Sequence, residues 1–456
     1  MLTEFHIGID DTDSKTGGCT TYTAALLFEE FCRSGFEPTD FPWLVRLNPN
    51  IPWKTRGNGA LAIHVRIDET EIGRLEKIAL EIVEKTTDPT IPSTDPALVF
   101  LCGQVPAVLR DFSTRALHDV LSVKEARRVA GVVEAKVHLF GKPRGLIGAL
   151  AAIGSGLQEG HTFEIIAYRK KENLGTPRLV DKNSVTLMDS EYRKSTFNNI
   201  DPETGRLLIC PHGPDPVLFG IRGEDPLNLS RAFRRIRTNE PIERIMLFKT
   251  NHGTDAHLTR ESTISSLRPH QAAVILGKVE TAWRVVRGGH VVFTIRDITG
   301  VVDCVAYEPS GSLRDIVRQL IPEDTLKASG GVRRGPKGRL TLNLEKLEVL
   351  SLAEAISYEN PRCPDCRLRC ESMGRAKGFR CRRCSTRYPN ASRIPIVRKR
   401  RLSIGVFLPP PRAHRHLTKP ESRYDRSNSG TSQRLGFLEQ TDRQSDELGR
   451  AGPQLS

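Results

Sequence analysis

Two Cys-x-x-Cys pairs, Cys363-Pro-Asp-Cys366 and Cys381-Arg-Arg-Cys384, are separated by fourteen residues. No other feature constrains the fold so tightly, because four thiolates at this spacing make a tetrahedral Zn²⁺ site on two knuckles. A redox Cys-x-x-Cys pair is the competing reading, and Cys370, off the pattern, is left as a spare thiol. Ten cysteines are few for 456 residues, and in a reducing compartment the paired ones read as metal ligands rather than disulfides. Residues 358–395 are therefore expected to form a zinc ribbon.

The same stretch carries the charge. The formal net charge is +14, and between Arg362 and Arg401 stand fourteen Lys and Arg against two acids, Asp365 and Glu371. Localised positive charge is the footprint of a nucleic-acid partner. A solvated basic face is the plainer alternative, but it seldom coincides with a metal knuckle. The chain is too long for one core, so several domains are expected. No apolar run is long enough for a bilayer and the N-terminus lacks a signal pattern, so a cytoplasmic protein with no membrane attachment is expected. No obligate protein partner is evident.

Residues 1–135 alternate strands and helices and read as an α/β domain. Over 136–255 a βαβ pattern occurs twice, at Lys136–Tyr168 and Val217–Thr250, which predicts a ferredoxin-like domain. Residues 265–352 contain five short strands with a helix, Ser312–Ile321, between the third and fourth, the plan of an OB-fold. From 408 to 456 apolar positions are too few for a core, and a disordered tail is expected. The fold class is thus multidomain, α/β plus β.

Chemistry concentrates in three places. Asp10, Asp11 and Asp13 crowd the end of the first apolar run, and such charges need a cation; hard oxygen ligands select Mg²⁺ shared with substrate phosphates. Gly17 and Gly18 then allow backbone N–H groups close to phosphate, and the helix starting near Thr20 points its positive end there. A solvated acidic loop is the alternative for the aspartates alone. Secondly, the loop after Arg46 packs Asn48, Asn50, Lys54, Arg56 and Asn58 together; its cations suit phosphates and its asparagines sugar or base, unless they only satisfy their own turns. Thirdly, the long connection from Lys170 to Pro216 holds Asp201 and Asp215, which could bind a cationic small substrate or serve as turn residues.

Ile7-Gly-Ile-Asp-Asp-Thr-Asp13 with Cys19-Thr-Thr-Tyr22, Arg46-Leu-Asn-Pro-Asn-Ile-Pro52, Lys54-Thr-Arg-Gly-Asn-Gly59 and Thr250-Asn-His-Gly-Thr-Asp255 resemble the archaeal tRNA(Ile) 2-agmatinylcytidine synthetase family. The domain order resembles it too, with the first domain then kinase-like. The resemblance covers roughly residues 1–400. It implies an ATP-dependent ligase that joins agmatine to C2 of cytidine 34 in the CAU anticodon of the minor isoleucine tRNA. It also implies AMP and phosphate as by-products, and AUA codons read as isoleucine. Thr20 matches the family's autophosphorylated threonine and is expected to face the surface, with Asp10, Asp11 and Asp13 holding Mg²⁺ and the triphosphate. Gly17, Gly18, Asn48, Lys54, Arg56 and Asn58 are the candidate ATP contacts, Asp201 and Asp215 the inferred agmatine contacts. A non-catalytic OB-fold and zinc-ribbon nucleic-acid binder is the alternative from another class, and a modifier using another amine, such as lysine, is a third reading.

Overall fold

The computed structural model describes residues 1–424 apart from 15–16, 89–90, 92–93, 158–159 and 336–337. β1 (Leu2–Asp10) buries Phe5, Ile7 and Ile9 and delivers Asp10 to the loop before α1 (Thr20–Arg33). There follow β2 (Glu37–Pro38), β3 (Trp43–Arg46), β4 (Gly59–Asp68), α2 (Ile72–Thr86), β5 (Ala97–Cys102), α3 (Ala107–His118), α4 (Val123–Val132) and β6 (Lys136–Leu139). α2 buries Leu75, Ala79 and Val83, four apart on one face. Ser122 caps α4 by accepting the Glu125 N–H, as expected from the sequence.

The second half comprises α5 (Gly145–Ile153), β7 (Thr162–Arg169), α6 (Lys182–Tyr192), β8 (Thr196–Phe197), β9 (Val217–Gly223), α7 (Pro226–Phe233) and β10 (Ile242–Thr250). Both halves share one sheet, ordered β6-β5-β1-β4-β3-β10-β7-β9-β8, with β2 on β4. The seam is narrow: β3 and β10 run parallel only through Trp43↔Lys249 and Leu44↔Thr250. This corrects the first of the two expected βαβ units, while the second stands as β9-α7-β10, its parallel strands flanking β7. β6 pairs with β5 at one edge, whereas β7 lies between β10 and β9. The cause is α5, which is apolar on every side and buried except at the half-buried Ile147, so it must be covered almost all round. It lies across β1 and β4, so close that a Cβ on Gly8 would come within 2.2 Å of the Ala149 carbonyl oxygen.

β11 (Ala272–Val286), β12 (His290–Asp297), β13 (Gly300–Ala306), α8 (Ser312–Val317), β14 (Thr325–Arg334) and β15 (Leu340–Ser351) follow the expected five-strand plan. Parallel pairing of β13 with β15 closes the barrel around Ile275, Phe293, Leu326 and Leu347. β16 (Ala355–Glu359) and β20 (Ile394–Arg398) then pair as a stem. At its end β17 (Glu371–Ser372), β18 (Phe379–Arg380) and β19 (Arg387–Tyr388) form the small ribbon sheet.

Residues 408–424 overturn the expectation of a disordered tail, while 425–456 lie outside the described residues. β21 (Gly405–Phe407) adds to β15, and the chain then runs back over the α/β body as a strap. Arg412 pairs with the buried Asp201 at 3.1 Å, and Arg423 pairs with Glu224 at 2.7 Å. The N–H groups of Gly253 and Asp255 donate to the carbonyls of His416 and Leu417 at 2.9 and 2.7 Å. A count of apolar residues asks whether a segment can build its own core; this one docks instead on a finished surface through ion pairs and backbone hydrogen bonds. Among the described residues no helix is long and apolar enough to cross a membrane.

Candidate active site

β1 ends against the first turns of α5. A Cβ on Gly148 would lie 1.8 Å from Asp10 Oδ2, so this glycine lets the carboxylate rest on the helix. Asp11 adopts a left-handed φ of 62°, tolerable for Asp, and its N–H donates to Asp10 Oδ1 at 2.7 Å. Burial, then Asp11 and Asp13 close by, push the Asp10 carboxyl well above the usual range. Burial, Asp13 and Asp95 push Asp11 up to about 7. Asp13 is raised by burial, with Arg56 opposing at 3.1 Å. Asp11 Oδ2 is buried with no hydrogen-bond partner among the described residues. Three carboxylates are thus held together here at an electrostatic cost.

The chain returns to α1 through a turn in which the Ser14 N–H donates to the Gly17 carbonyl at 2.8 Å. Gly18, at φ 70°, would place a Cβ 2.9 Å from the Thr12 carbonyl, so the turn requires glycine there. Thr20 is the first residue of α1, and Cys19 precedes it without a side-chain cap. The expectation that Thr20 faces the surface is corrected: it is 7% exposed and lines a cavity. The tight Gly17-Gly18 turn folds the helix start inward.

That cavity, of about 320 Å³, lies over the seam between the halves of the sheet. Its walls are Asp10, Asp11 and Asp13; Thr20 and Thr21; Lys54, Arg56 and Asn58; Asp215; and His416 of the strap. Arg56 ties three walls together, donating to the Gly18 carbonyl at 2.7 Å and lying 3.1 Å from Asp13 and 3.8 Å from Asp215. Four predicted residues stand elsewhere. Gly17 and Gly18 shape the turn without lining the cavity. Asn48 is buried, its amide donating to the carbonyls of His118, Asp119 and His270 at 3.2, 3.2 and 2.8 Å. Asp201 accepts the N–H groups of Glu203 and Thr204, each at 3.0 Å, and pairs with Arg412.

Of the floor, Arg46 and His252 lie in motifs visible in the sequence, whereas Glu164 and Arg222 went unread. Glu164 on β7 faces Arg222 on β9 in register, with Arg222 Nε donating to Glu164 Oε1 at 2.9 Å. Arg46 Nε donates to His252 Nε2 at 2.5 Å, which leaves the His252 proton on Nδ1, 3.1 Å from Glu164 Oε2. Burial alone would raise Glu164, but Arg222, His252 and Arg46 hold it far below the usual range. Burial pushes His252 down to about 4. Its ring stacks on His416 with centroids 5.1 Å apart. The available signal was a single carboxylate in Thr162–Arg169, a strand buried throughout that would otherwise carry only apolar and edge residues.

In the ribbon, the sulfurs of Cys363, Cys366, Cys381 and Cys384 lie within 4.8 Å of one another, with Cys363 and Cys384 at 3.6 Å. Zn–S bonds of about 2.3 Å at tetrahedral angles require S···S near this distance, so the four fit Zn²⁺. Cys370 is buried beside them, outside the ligand set.

Family models match four successive segments. They are the TiaS TCKD domain over residues 6–142, the TiaS FLD domain over 143–257, an OB-fold nucleic acid binding domain over 273–350 and the TiaS C-terminal zinc ribbon domain over 360–402. The first includes β6, in keeping with its pairing to β5. The isoleucine-tRNA 2-agmatinylcytidine synthetase TiaS of Thermococcus sibiricus is 42% identical over 423 residues, spanning 92% of this chain and 96% of that one. The Pyrococcus horikoshii protein of the same name is 41% identical over 416 residues, spanning 91% and 96%. A complex of TiaS with its isoleucine tRNA and ATP superposes with a TM-score of 0.83 at 37% identity, covering 94% of this chain and 100% of that one. A complex of TiaS with the same tRNA, AMPCPP and agmatine gives 0.80 at 35% identity with the same coverage, 94% and 100%. With its four segments matched in order and its relatives aligned almost end to end, this chain belongs to the TiaS family of isoleucine-tRNA 2-agmatinylcytidine synthetases.

Proposed function

We propose that the chain is an ATP-dependent ligase that joins agmatine to C2 of cytidine 34 in the CAU anticodon of the minor isoleucine tRNA. The observation that carries this reading is the convergence in one cavity of the three aspartates, the start of α1 and the Lys54–Asn58 loop. Relatives of this fold hold the isoleucine tRNA, ATP or AMPCPP, and agmatine in solved complexes. The C2 oxygen of cytidine is a poor leaving group. Once it carries one phosphoryl group from ATP, attack of the agmatine amine on C2 expels it as phosphate; the second phosphoryl group passes to water as another phosphate, which leaves AMP as the nucleotide product. The new C–N bond replaces the C–O bond, and the amine gives up its proton.

Lys54, Arg56 and Asn58 line the cavity where they can neutralise and orient the triphosphate, aided by the positive end of α1. Asp10, Asp11 and Asp13 would hold Mg²⁺, which supplies charge neutralisation of the phosphates when bound. The unsatisfied Asp11 Oδ2 and the mutual repulsion of the cluster support that role. Thr20, at the cavity wall, takes up a phosphoryl group. Asp215 is the carboxylate assigned to a cationic end of agmatine, while Asp201, committed to Arg412, braces the loop. The barrel and ribbon grip the RNA through phosphate and shape, and the target base leaves its stack to enter the cavity. A tRNA substrate and a thiolate zinc site suit the cytoplasm.

Mass spectrometry of a CAU-anticodon tRNA(Ile) transcript incubated with protein, ATP, Mg²⁺ and agmatine tests the reading. The expected result is a mass gain at position 34 that requires both ATP and agmatine. A gain with another amine would change the substrate, and tight tRNA binding without any gain would favour the non-catalytic alternative. Thr20→Ala is expected to abolish the gain while costing the fold about 1 kcal/mol, as for a small side-chain truncation. Unchanged product from this variant would remove the phosphorylation role.

A further inference from the structure

A second cavity, of about 340 Å³, lies between the 46–58 loop and the strap. It shares Arg46, Lys54, Arg56 and His416 with the first, so the two adjoin, and Arg415 lines only the second. Among the described residues no carboxylate lines it. The Lys54 ammonium donates to the carbonyls of Pro49 and Ile51 at 2.7 and 3.3 Å and, among the described residues, makes no ion pair. Arg415 comes no closer than 3.9 Å to Glu345, whose other oxygen is already 2.9 Å from His257. Beside them Arg333, on β14, donates to the Asn50 carbonyl at 2.9 Å.

These three cations come from three parts of the fold: the α/β body, the strap and the barrel. They are near enough to oppose one another. Burial, then Arg415 and Arg333, lower the Lys54 pKa, and burial, then Arg415, lower that of Arg333. Among the described residues Glu345 is the one carboxylate acting on all three, at the 3.9 Å limit of Arg415 and shared with His257, so the cluster keeps an excess of positive charge that a bound anion offsets.

We propose that this second cavity binds a phosphodiester group of the tRNA backbone beside the nucleotide being modified, with Arg415 as its main ligand, Lys54 in support and Arg333 adding positive charge from outside the lining. The proposal rests on the tRNA-modifying reading above. Phosphate oxygens from ATP are the other source of the same chemistry. The first cavity, with its aspartates and helix start, already suits a triphosphate, whereas Arg415 and Arg333 stand on the strap and the barrel. A base drawn out of a loop brings its flanking phosphates with it, and guanidinium matches phosphate geometry.

Steady-state kinetics on the full chain, varying tRNA, ATP and agmatine in turn at several salt concentrations, separate these sources. The proteins compared are the unaltered chain, Arg415→Ala, Arg415→Lys and, as a charge control, Arg128→Ala, an exposed arginine on α4. Arg415→Ala is expected to raise KM for tRNA about tenfold and to lower the slope of log KM against log salt by about 0.7–0.9, the loss of one phosphate contact. KM for ATP and agmatine stay unchanged, Arg415→Lys recovers part of the loss, and Arg128→Ala changes neither KM nor slope. An unchanged tRNA KM and salt slope would overturn the proposal, and so would an equal rise in the ATP KM, which would assign the cavity to the nucleotide. In both cases product formed by the unaltered chain leaves the ligase reading intact, whereas absence of product there would defeat that reading itself.

Discussion

The ribbon and the strap are neighbours in sequence, both rich in Arg and Pro, and neither owns a real core. The ribbon buries little beyond Cys363, Cys370, Phe379 and Cys381. The strap buries Leu417 and Thr418 against the body. One is folded from within, by four ligands that lie between residues 363 and 384; the other is folded from outside. Arg412 reaches Asp201 across 211 positions, and the Lys419 N–H reaches Asp255 across 164. A segment without a core is therefore not thereby disordered. It needs a metal or a surface, and only the first of these leaves a local pattern.

Zinc removal should separate the two segments most sharply. Structural Zn²⁺ contributes on the order of 10–16 kcal/mol in comparable small domains. Chelation, or Cys363→Ser, is expected to abolish hydrogen-exchange protection over residues 360–395 while the Gly253 and Asp255 amides, bonded to the strap, stay protected. tRNA binding should fall more than ATP binding. Simultaneous loss of both sets of protected amides would make ribbon and strap one cooperative unit.

A smaller effect is expected from the strap's own anchor. Arg412→Ala leaves Asp201, 0% exposed, with the backbone N–H groups of Glu203, Thr204 and residue 412 but no cation. Loss of a charge-assisted bond at a covered carboxylate costs about 2–3 kcal/mol. Urea unfolding should register that cost, and trypsin should cut the strap faster while bound zinc is retained. Equal zinc loss would show that the strap also supports the ribbon.

The smallest effect comes from pH. His252 is held down to about 4 by burial, and Arg46 and burial hold His416 below its usual range where the two rings stack. Both are neutral in the folded protein, while the unfolded chain protonates them near pH 6.5. Between about 6.5 and 4 the unfolded state binds more protons, so docking is complete above 6.5 and weakens as pH falls. Strap protection followed against pH should show this slope, and His416→Gln should flatten it. A profile already flat in the unaltered chain would remove the histidine pair from the docking energetics.

Legibility differs from residue to residue for physical reasons. Asp10, Asp11 and Asp13 stand out as a site because their mutual repulsion is visible within four letters. Glu164 does not, since its meaning depends on Arg222, Arg46 and His252 brought beside it by strand pairing and the seam. Asp201 and Asp215 look alike in a polar connection, yet one meets Arg412 of the strap and the other lines the cavity. Asn48 sits in a loop of candidate ligands, but its amide closes three carbonyls from α3 and the start of the barrel.

Sequence by itself determined the ribbon, the alternation of strands and helices, the five-strand barrel and the acidic loop before α1. Each depends on spacing or periodicity among residues within a few turns of one another. Tertiary structure alone decided that the two α/β halves share one sheet, that α5 lies beneath its centre, that the strap crosses the body and that Arg415 and His416 reach the cavities. Those features arise from contacts between residues a hundred or more positions apart, whose pairing is set by which surfaces remain uncovered once the local elements have formed.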